Sequence, residues 1–469
     1  MSTTVSAGAP ERETAAAEAG RVVSVPVAIL LVAIAYGAIA QGAFYRKEVI
    51  YLSVILTVAA AALLALRRGA VVAQLVSPVS LFLLGVAASA IVSAWAGGYP
   101  AGADGVLLVV WGLLCADLVA RTASPRQQET LLTGIALVAV IVAFTGIAGA
   151  VMHDLRLATP AGGREGDMQF FRAASTFTYA NSTAGFLLVP TMVALARVAA
   201  PGAGAAWRLA AFSLTLGLLA TVSRGGLVGF AVAIVVLLVI GNRRAIVREN
   251  WTVALGVAVA GAGLLPSLPI LAQPQPLVAA AGLLAGAGIA LVNSRRGVFI
   301  ASGALAAGAV VALAAVAAVR PDQLARFGQL RFNTDASIND RRLMWEASIR
   351  LFLEHPLLGT GPGHFLLRLN VTGPPSYAYF SHNEYLQLLA EQGGVGFLVV
   401  VGGVAWALVS GIRERARGGW ITAGLVAGLV GLAVHSGFDF LWHVTLIPLV
   451  AVVGLSILTA TDRLNGGRV

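Results

Sequence analysis

Few side chains in this chain can take a proton or grip an anion, and they are not evenly spread. His382 opens the run His382-Asn383-Glu384-Tyr385-Leu386-Gln387 inside a long polar stretch. An imidazole on a structured loop beside a bilayer is a poor packing residue and a good proton acceptor near neutral pH. Arg224 and Arg341 can share its surroundings. A guanidinium presents a planar fork of donors that fits phosphate oxygens at two points. One proton acceptor and two such forks suit activation of a hydroxyl against an anionic leaving group. The plainer readings are a capped surface histidine, a snorkelling anchor for Arg224 and a helix-surface charge for Arg341. Against the anchor, Arg224 falls at an outer helix end, where cations are disfavoured, and Gly225 and Gly226 follow it, allowing close approach.

The elements that must position these residues are set by composition. Of 469 residues, 58% are hydrophobic and 11% charged, against roughly 25% charged in soluble domains. Mean hydropathy is +0.87. The chain is therefore read as an all-α polytopic membrane protein. A pI of about 10.5 would suggest nucleic acid in a soluble protein. Here the basic residues flank apolar segments and serve topology, so no nucleic-acid partner is expected. Cys115 is the only cysteine, which excludes an internal disulfide and a cysteine metal cluster.

A span needs about 20 mostly apolar residues, and about 12–14 transmembrane helices are expected from fourteen candidate segments. The least regular pair covers 251–271 and 276–293, where Pro266, Pro269, Pro274 and Pro276 cluster and an irregular or re-entrant form is an alternative. A further segment covers 297–319. The expected organisation is a disordered cytoplasmic tail (1–24), a transmembrane bundle (25–319) with a periplasmic loop at 153–179, a large periplasmic loop with amphipathic helices at 320–392, and C-terminal helices with a short cytoplasmic tail (393–469). With the N-terminus inside, every short inner loop is basic: Arg67 and Arg68, Arg121 and Arg126, Arg197 and Arg208, Arg243, Arg244 and Arg248, Arg295 and Arg296, and Arg413, Arg415 and Arg417. That alternation fixes both termini in the cytoplasm.

Within 320–392 the pattern predicts a helix from about Asp340 to Glu354, capped by Asn339. Arg342, Glu346, Arg350 and Glu354 form its charged stripe, and Met344, Trp345, Ile349 and Phe352 an apolar face. His355-Pro356 ends it. A second helix is predicted from His382, with Ser381 and Glu384 as a capping box and Gly393-Gly394 as its end. The positive helix end would then keep the His382 imidazole neutral.

Other residues are weighed beside these. Gly359, Gly361 and Gly363 form an anion-binding nest or only a tight turn. His435, Asp439 and His443 orient the site, pack structurally, or, least well, bind zinc. Phe438 to Trp442 looks like an interfacial aromatic belt. Arg46, Lys47, Arg164 and Arg172 are candidates for an anionic-substrate patch.

The stretch Asn339-Asp340-Arg341-Arg342-Leu343-Met344-Trp345, then His355-Pro356-Leu357-Leu358-Gly359-Thr360-Gly361-Pro362-Gly363, then Ser381 to Gln387 resembles the bacterial O-antigen ligase and polymerase superfamily, which also contains protein O-oligosaccharyltransferases. Phe177-Thr178-Tyr179-Ala180-Asn181, Ser223-Arg224-Gly225-Gly226 and the segment His435 to Asp439 extend the likeness to about 170–445. The resemblance implies type-C glycosyltransferase-like architecture in the bacterial inner membrane. It also implies transfer of a glycan from undecaprenyl pyrophosphate to an acceptor hydroxyl on the outer face, without a metal ion or other cofactor. It puts the essential histidine at His382 and the arginines at Arg224 and Arg341, with Arg342 open as the alternative to Arg341. Arg342, Asn383, Gly361, Gly363, Tyr179, Asn181, Arg172, His435 and Asp439 are the expected substrate-binding positions. The chemistry agrees: a sugar hydroxyl needs a base, and a departing pyrophosphate needs cations rather than an acid. The acceptor (a lipid core sugar, the next glycan repeat or a protein hydroxyl) stays open. So does a transporter or flippase of lipid-linked sugars, which would want polar residues at mid-membrane depth; few are present.

Overall fold

Long apolar runs become helices because lipid offers backbone N–H and C=O groups no partner outside their own segment. In the computed structural model of the chain the described residues are 24–66, 76–161, 170–270, 272–292, 335–369, 377–414 and 419–460. The expected tail 1–24 (but for Ser24), the segment 297–319, and Arg67, Arg68, Arg164, Arg295, Arg296, Arg415 and Arg417 lie outside them.

Among the described residues the apolar helices are α1 Val25–Ile39, α2 Arg46–Leu66, α3 Pro78–Ala96, α4 Ala103–Thr122, α5 Pro125–Met152, α6 Ala180–Val198, α7 Ala205–Ala220, α8 Arg224–Ile240, α9 Arg243–Leu264 and α10 Pro276–Leu291. The amphipathic α11 Asp335–Glu354 follows, then α12 Glu384–Glu414, α13 Trp420–Ser436 and α14 Leu446–Thr459. Seven of these segments are long and apolar enough to cross a membrane, and six more are shorter apolar helices. Together they account for thirteen of the fourteen expected segments. The protein is an all-α polytopic membrane protein.

The proline-rich pair proves regular. α9 runs into a 3-10 turn at Leu265–Ser267 and α10 begins at Pro276, so the prolines sit in the connection and at a first helical turn, where a missing N–H costs nothing. Gly256 faces the Gly286 carbonyl, and Gly263 faces Gly282, so the two backbones touch as small residues permit. Arg243, Arg244 and Arg248 fall on the first two turns of α9 rather than in a loop.

α6 is the innermost helix, buried along almost its whole length. One short antiparallel ribbon meets it and a second packs against α11, neither announced by the sequence. β1 (Ala158–Pro160) pairs with β2 (Phe171–Ala173), and β3 (Leu367–Arg368) pairs with β4 (Tyr377–Ala378).

The polar loop departs from expectation in three places. α11 begins at Asp335, so Asn339 lies within the helix rather than capping it. Its packed face is Met344, Ala347 and Leu351 against Phe365, Ala378 and Leu367, while Ile349 is 45% exposed; spacing of three and four residues selected a face rotated from the one expected. α12 begins at Glu384, not at His382.

Gly393 breaks α12 with φ 64 and ψ −167, as the expected helix end requires. The break is a docking point. Gly394 N donates to Pro356 O at 2.8 Å and Val395 N to Leu357 O at 3.1 Å, while Gly361 N reaches back to Glu391 O at 2.8 Å. The His355–Gly363 stretch and the His382 helix are thus joined backbone to backbone.

Candidate active site

Three helices begin at one place: α6 after Tyr179, α8 at Arg224 and α12 just after His382. Helix starts carry partial positive charge and unpaired N–H groups. A buried carboxylate is the natural partner, and Asp439, in the turn after α13, fills that role at 1% exposure. Its Oδ1 accepts from His382 Nδ1 at 2.9 Å and from Phe440 N at 3.0 Å. Its Oδ2 accepts from the Tyr179 hydroxyl at 3.0 Å, from Asn181 Nδ2 and from Arg341 Nη2 at 3.4 Å. Burial opposes its charge, but the hydrogen bond and charge of His382, then Arg341, hold its pKa at about 2.

This network decides how His382 is presented. An ionised carboxylate only accepts, so Nδ1 carries a proton, and in the neutral ring Nε2 is left as the acceptor. The ring also stands edge-on to Phe440 with centroids 4.9 Å apart. The helix-dipole rationale is therefore replaced: His382 precedes the helix, and Asp439 orients it. The capping box is replaced too. Asn383 Oδ1 accepts from Tyr385 N and Leu386 N at 3.1 Å each, which makes Asn383 the cap rather than a side chain turned to substrate. Glu384 instead accepts from Trp442 N and, at 3.4 Å, from His443 Nδ1.

Arg341 and Arg342 are placed differently. Arg341 turns inward, donating from Nη1 to Phe438 O at 2.6 Å. Arg342 is 76% exposed along its side chain and pairs with Glu346 on its own helix. Arg172 belongs to the inward set. Its Nε donates to Thr221 O at 2.9 Å and its Nη2 to Asn181 Oδ1. Burial, then the nearby charges of Arg224 and Arg341, lower its pKa from the ordinary value against the pull of Tyr179 and Asp439. Arg224 is exposed at the first turn of α8, which Ser223 caps; among the described residues its guanidinium takes no hydrogen bond or ion pair. The glycines after it serve the protein's own packing: a side chain at Gly225 would strike His435 and Phe438, and one at Gly226 would strike Ala184.

Backbone strain gathers at the same spot. Thr178, Val222 and His382, each in a loop that presents a site residue, have φ of 57, 47 and 52. Such angles are uncommon for any non-glycine residue and rarer for β-branched ones, and they persist where surrounding structure over-determines them.

Two expected features are filled or separated by the protein itself. Gly361 and Gly363 have φ of 99 and 77, as a nest needs, yet the Gly363 and Phe365 N–H groups donate to the Glu391 carboxylate. The acceptor in that loop is the protein's own Glu391 carboxyl group. His435 Nε2 meets Ser223 Oγ at 3.4 Å, Asp439 meets His382, and His443 meets Glu384; the three do not converge as ligands. Phe440 stacks on Phe380 at 4.6 Å and on Tyr179 at 5.3 Å, so it supports the site instead of facing lipid. Arg46 and Lys47 are exposed on α2 and have no role in the network.

Fold and site together define a class: a polytopic membrane protein with a carboxylate-oriented histidine under a group of guanidiniums at one end of its bundle. Residues 275–401, about a quarter of the chain, match the family model described as O-antigen ligase, so that stretch is similar to the O-antigen ligase and polymerase superfamily. The match includes α10, α11, the glycine loop and the start of α12, and does not reach Tyr179, Arg172, Arg224 or Asp439. No curated protein matches the chain.

Proposed function

We propose that the protein transfers a glycan from polyprenyl pyrophosphate, undecaprenyl pyrophosphate in a bacterial inner membrane, to an acceptor hydroxyl at the extracytoplasmic face, in the manner of an O-antigen ligase. The observation that carries this is the His382–Asp439 pair beside the inward-turned Arg341, with Arg172 and Arg224 close by. His382 Nε2 accepts the proton of the acceptor hydroxyl as its oxygen forms the new bond to the anomeric carbon. The bond from that carbon to the pyrophosphate oxygen breaks, and its electron pair leaves with the pyrophosphate. Arg224, exposed and without a partner among the described residues, is the first contact for the diphosphate. Arg341 moves from the Phe438 carbonyl and Asp439 to meet the growing charge, each such contact contributing about 3–4 kcal/mol in the transition state. Cations built into the fold do the work of a divalent ion, so turnover is expected to survive EDTA. The acceptor class is a matter for the same assay. Purified protein, a defined lipid-linked glycan and three acceptors (core lipid, glycan repeat, peptide hydroxyl) test the reading. His382→Ala should abolish transfer with folding intact, and full turnover by that variant would remove the base from the scheme.

A further inference from the structure

Two histidine–carboxylate pairs join the loop before α12 to the turn after α13, and they cross. His382 of the loop meets Asp439 of the turn at 2.9 Å, while Glu384, the first residue of α12, meets His443 of the turn at 3.4 Å. The first pair presents the base. The second has no place in the chemistry above, although Glu384 is only 2% exposed and a buried carboxylate is costly unless it is compensated.

The surroundings of the second pair show what it holds. Glu384 also accepts from Trp442 N. Beside it, the Tyr385 hydroxyl donates to Ala433 O at 2.6 Å, and the Tyr385 ring stands edge-on to Trp442 with centroids 5.6 Å apart. The segment carrying Asp439 is thus fastened at Ala433 on one side and at Trp442 and His443 on the other. Both fasteners belong to the first turn of the helix that follows His382. An aromatic pair lies between the two histidines. Phe440 meets the His382 ring edge-on and stacks on Phe380, and Phe380 lies against His443 with centroids 4.6 Å apart. A movement of the turn that breaks the Glu384 contact carries Asp439 and Phe440 with it.

We propose that Glu384 and His443 are a positioning pair, which as carboxylate and imidazolium holds the Asp439 turn in register with His382 and releases it when His443 loses its proton; the effect on turnover rests on the transfer reading above. The charged groups that act on His443 are Glu384 and Glu391, both on α12. Burial works against the imidazolium, but the charge and hydrogen bond of Glu384, then the charge of Glu391, raise its pKa above the ordinary 6.5. The pair is therefore intact below the folded pKa of His443 and weakens as pH rises through it. With the proton gone, Glu384 keeps only neutral donors in a buried place, which favours a turn that lets it reach water. Turnover gains an alkaline limb, opposite in sense to the acid limb that a protonated Nε2 of His382 imposes.

The test uses the full chain in lipid nanodiscs and two measurements. Nitrogen NMR of histidine-labelled protein, with no substrate present, reports the tautomer of His382 and the titration of His443. In wild type, His382 should keep its proton on Nδ1 while His443 is charged and pass to a mixture of tautomers as His443 titrates. Glu384→Gln keeps the shape without the charge, so it should lower the His443 midpoint by about one pH unit and mix the His382 tautomers at neutral pH. In the transfer assay the same variant should lower kcat about tenfold, leave the donor KM unchanged and move the alkaline limb down with the His443 midpoint. His443→Gln should remove that limb. A wild-type His382 tautomer indifferent to the His443 titration, an alkaline limb that stays in His443→Gln, or a Glu384→Gln loss that falls on KM with the limb unmoved would overturn the pair. Coupled titration and tautomer in a wild type inactive with every acceptor would support the pair and sink the transfer reading.

Discussion

The proton on the His382 ring is placed by a residue 57 positions away. Asp439 supplies the acceptor that puts hydrogen on Nδ1 and leaves Nε2 for substrate. Asp439→Asn keeps the shape but lets the amide donate to Nδ1, which reverses the tautomer. Transfer should fall by about 10²–10⁴-fold, the size of a general-base contribution, while the fold is kept; a loss under fivefold would show that the carboxylate does not orient the ring. The arginines divide in the same way. Arg341→Lys replaces a fork with a point charge and should cost about 10²-fold in kcat. Arg342→Lys, at an exposed pair with Glu346 of a kind worth about 0–1 kcal/mol, should stay within about twofold. Equal losses from both would undo the inward assignment of Arg341. His382, Arg341 and Arg224 were legible in the sequence by type and surroundings. The bond between His382 and Asp439 was not, because no local periodicity connects a loop before one helix to a turn after another. The sequence signal is an acid in an apolar neighbourhood, which reads as orienting the site with His435 and His443 or as binding substrate, and nothing in it points to His382.

At the scale of elements, hydropathy identified helices well and orientation within them poorly. Apolar runs must fold as helices in lipid, whereas the face of α11 that packs depends on Phe365 and Ala378 across the loop. Ribbons of two and three residues are too short to display an alternating pattern. The glycine loop was legible as a turn, but not as a cradle already occupied by Glu391. Gly393 is the position where sequence and structure agree on a necessity. Its φ of 64 and ψ of −167 lie in a region open essentially to glycine alone, and a Cβ there would come within 2.4 Å of Leu357 backbone. Gly393→Ala should lower stability by at least about 2 kcal/mol and loosen the join between the glycine loop and the His382 helix. Gly402→Ala on the same helix, where a Cβ meets nothing within 4 Å, should be neutral or slightly stabilising. Thermal unfolding in detergent compares the two, and a Gly393→Ala protein as stable as Gly402→Ala would show that the kink can be straightened.

For the whole molecule, the buried Asp439 ties four separate parts of the chain together: the α6 start, α11, the His382 loop and the turn after α13. Its ionisation is therefore a property of the assembled end of the bundle. Its folded pKa of about 2 lies below the ordinary 3.8. A depressed carboxylate adds stability that is fully present above its unfolded pKa and is lost as pH falls through the folded one. The window is thus from about pH 4 down to about pH 2, and the shift corresponds to about 2 kcal/mol. Between those limits the melting temperature of the wild type should drop more steeply than that of Asp439→Asn, which has no carboxylate to titrate; above pH 4 the two curves should run parallel. Circular dichroism melts of both proteins in the same nanodiscs, stepped from pH 6 to pH 2, measure this directly. Parallel curves through the whole range would mean that Asp439 is no more ionised in the folded protein than in the unfolded chain, and the tautomer assigned to His382 would lose its foundation.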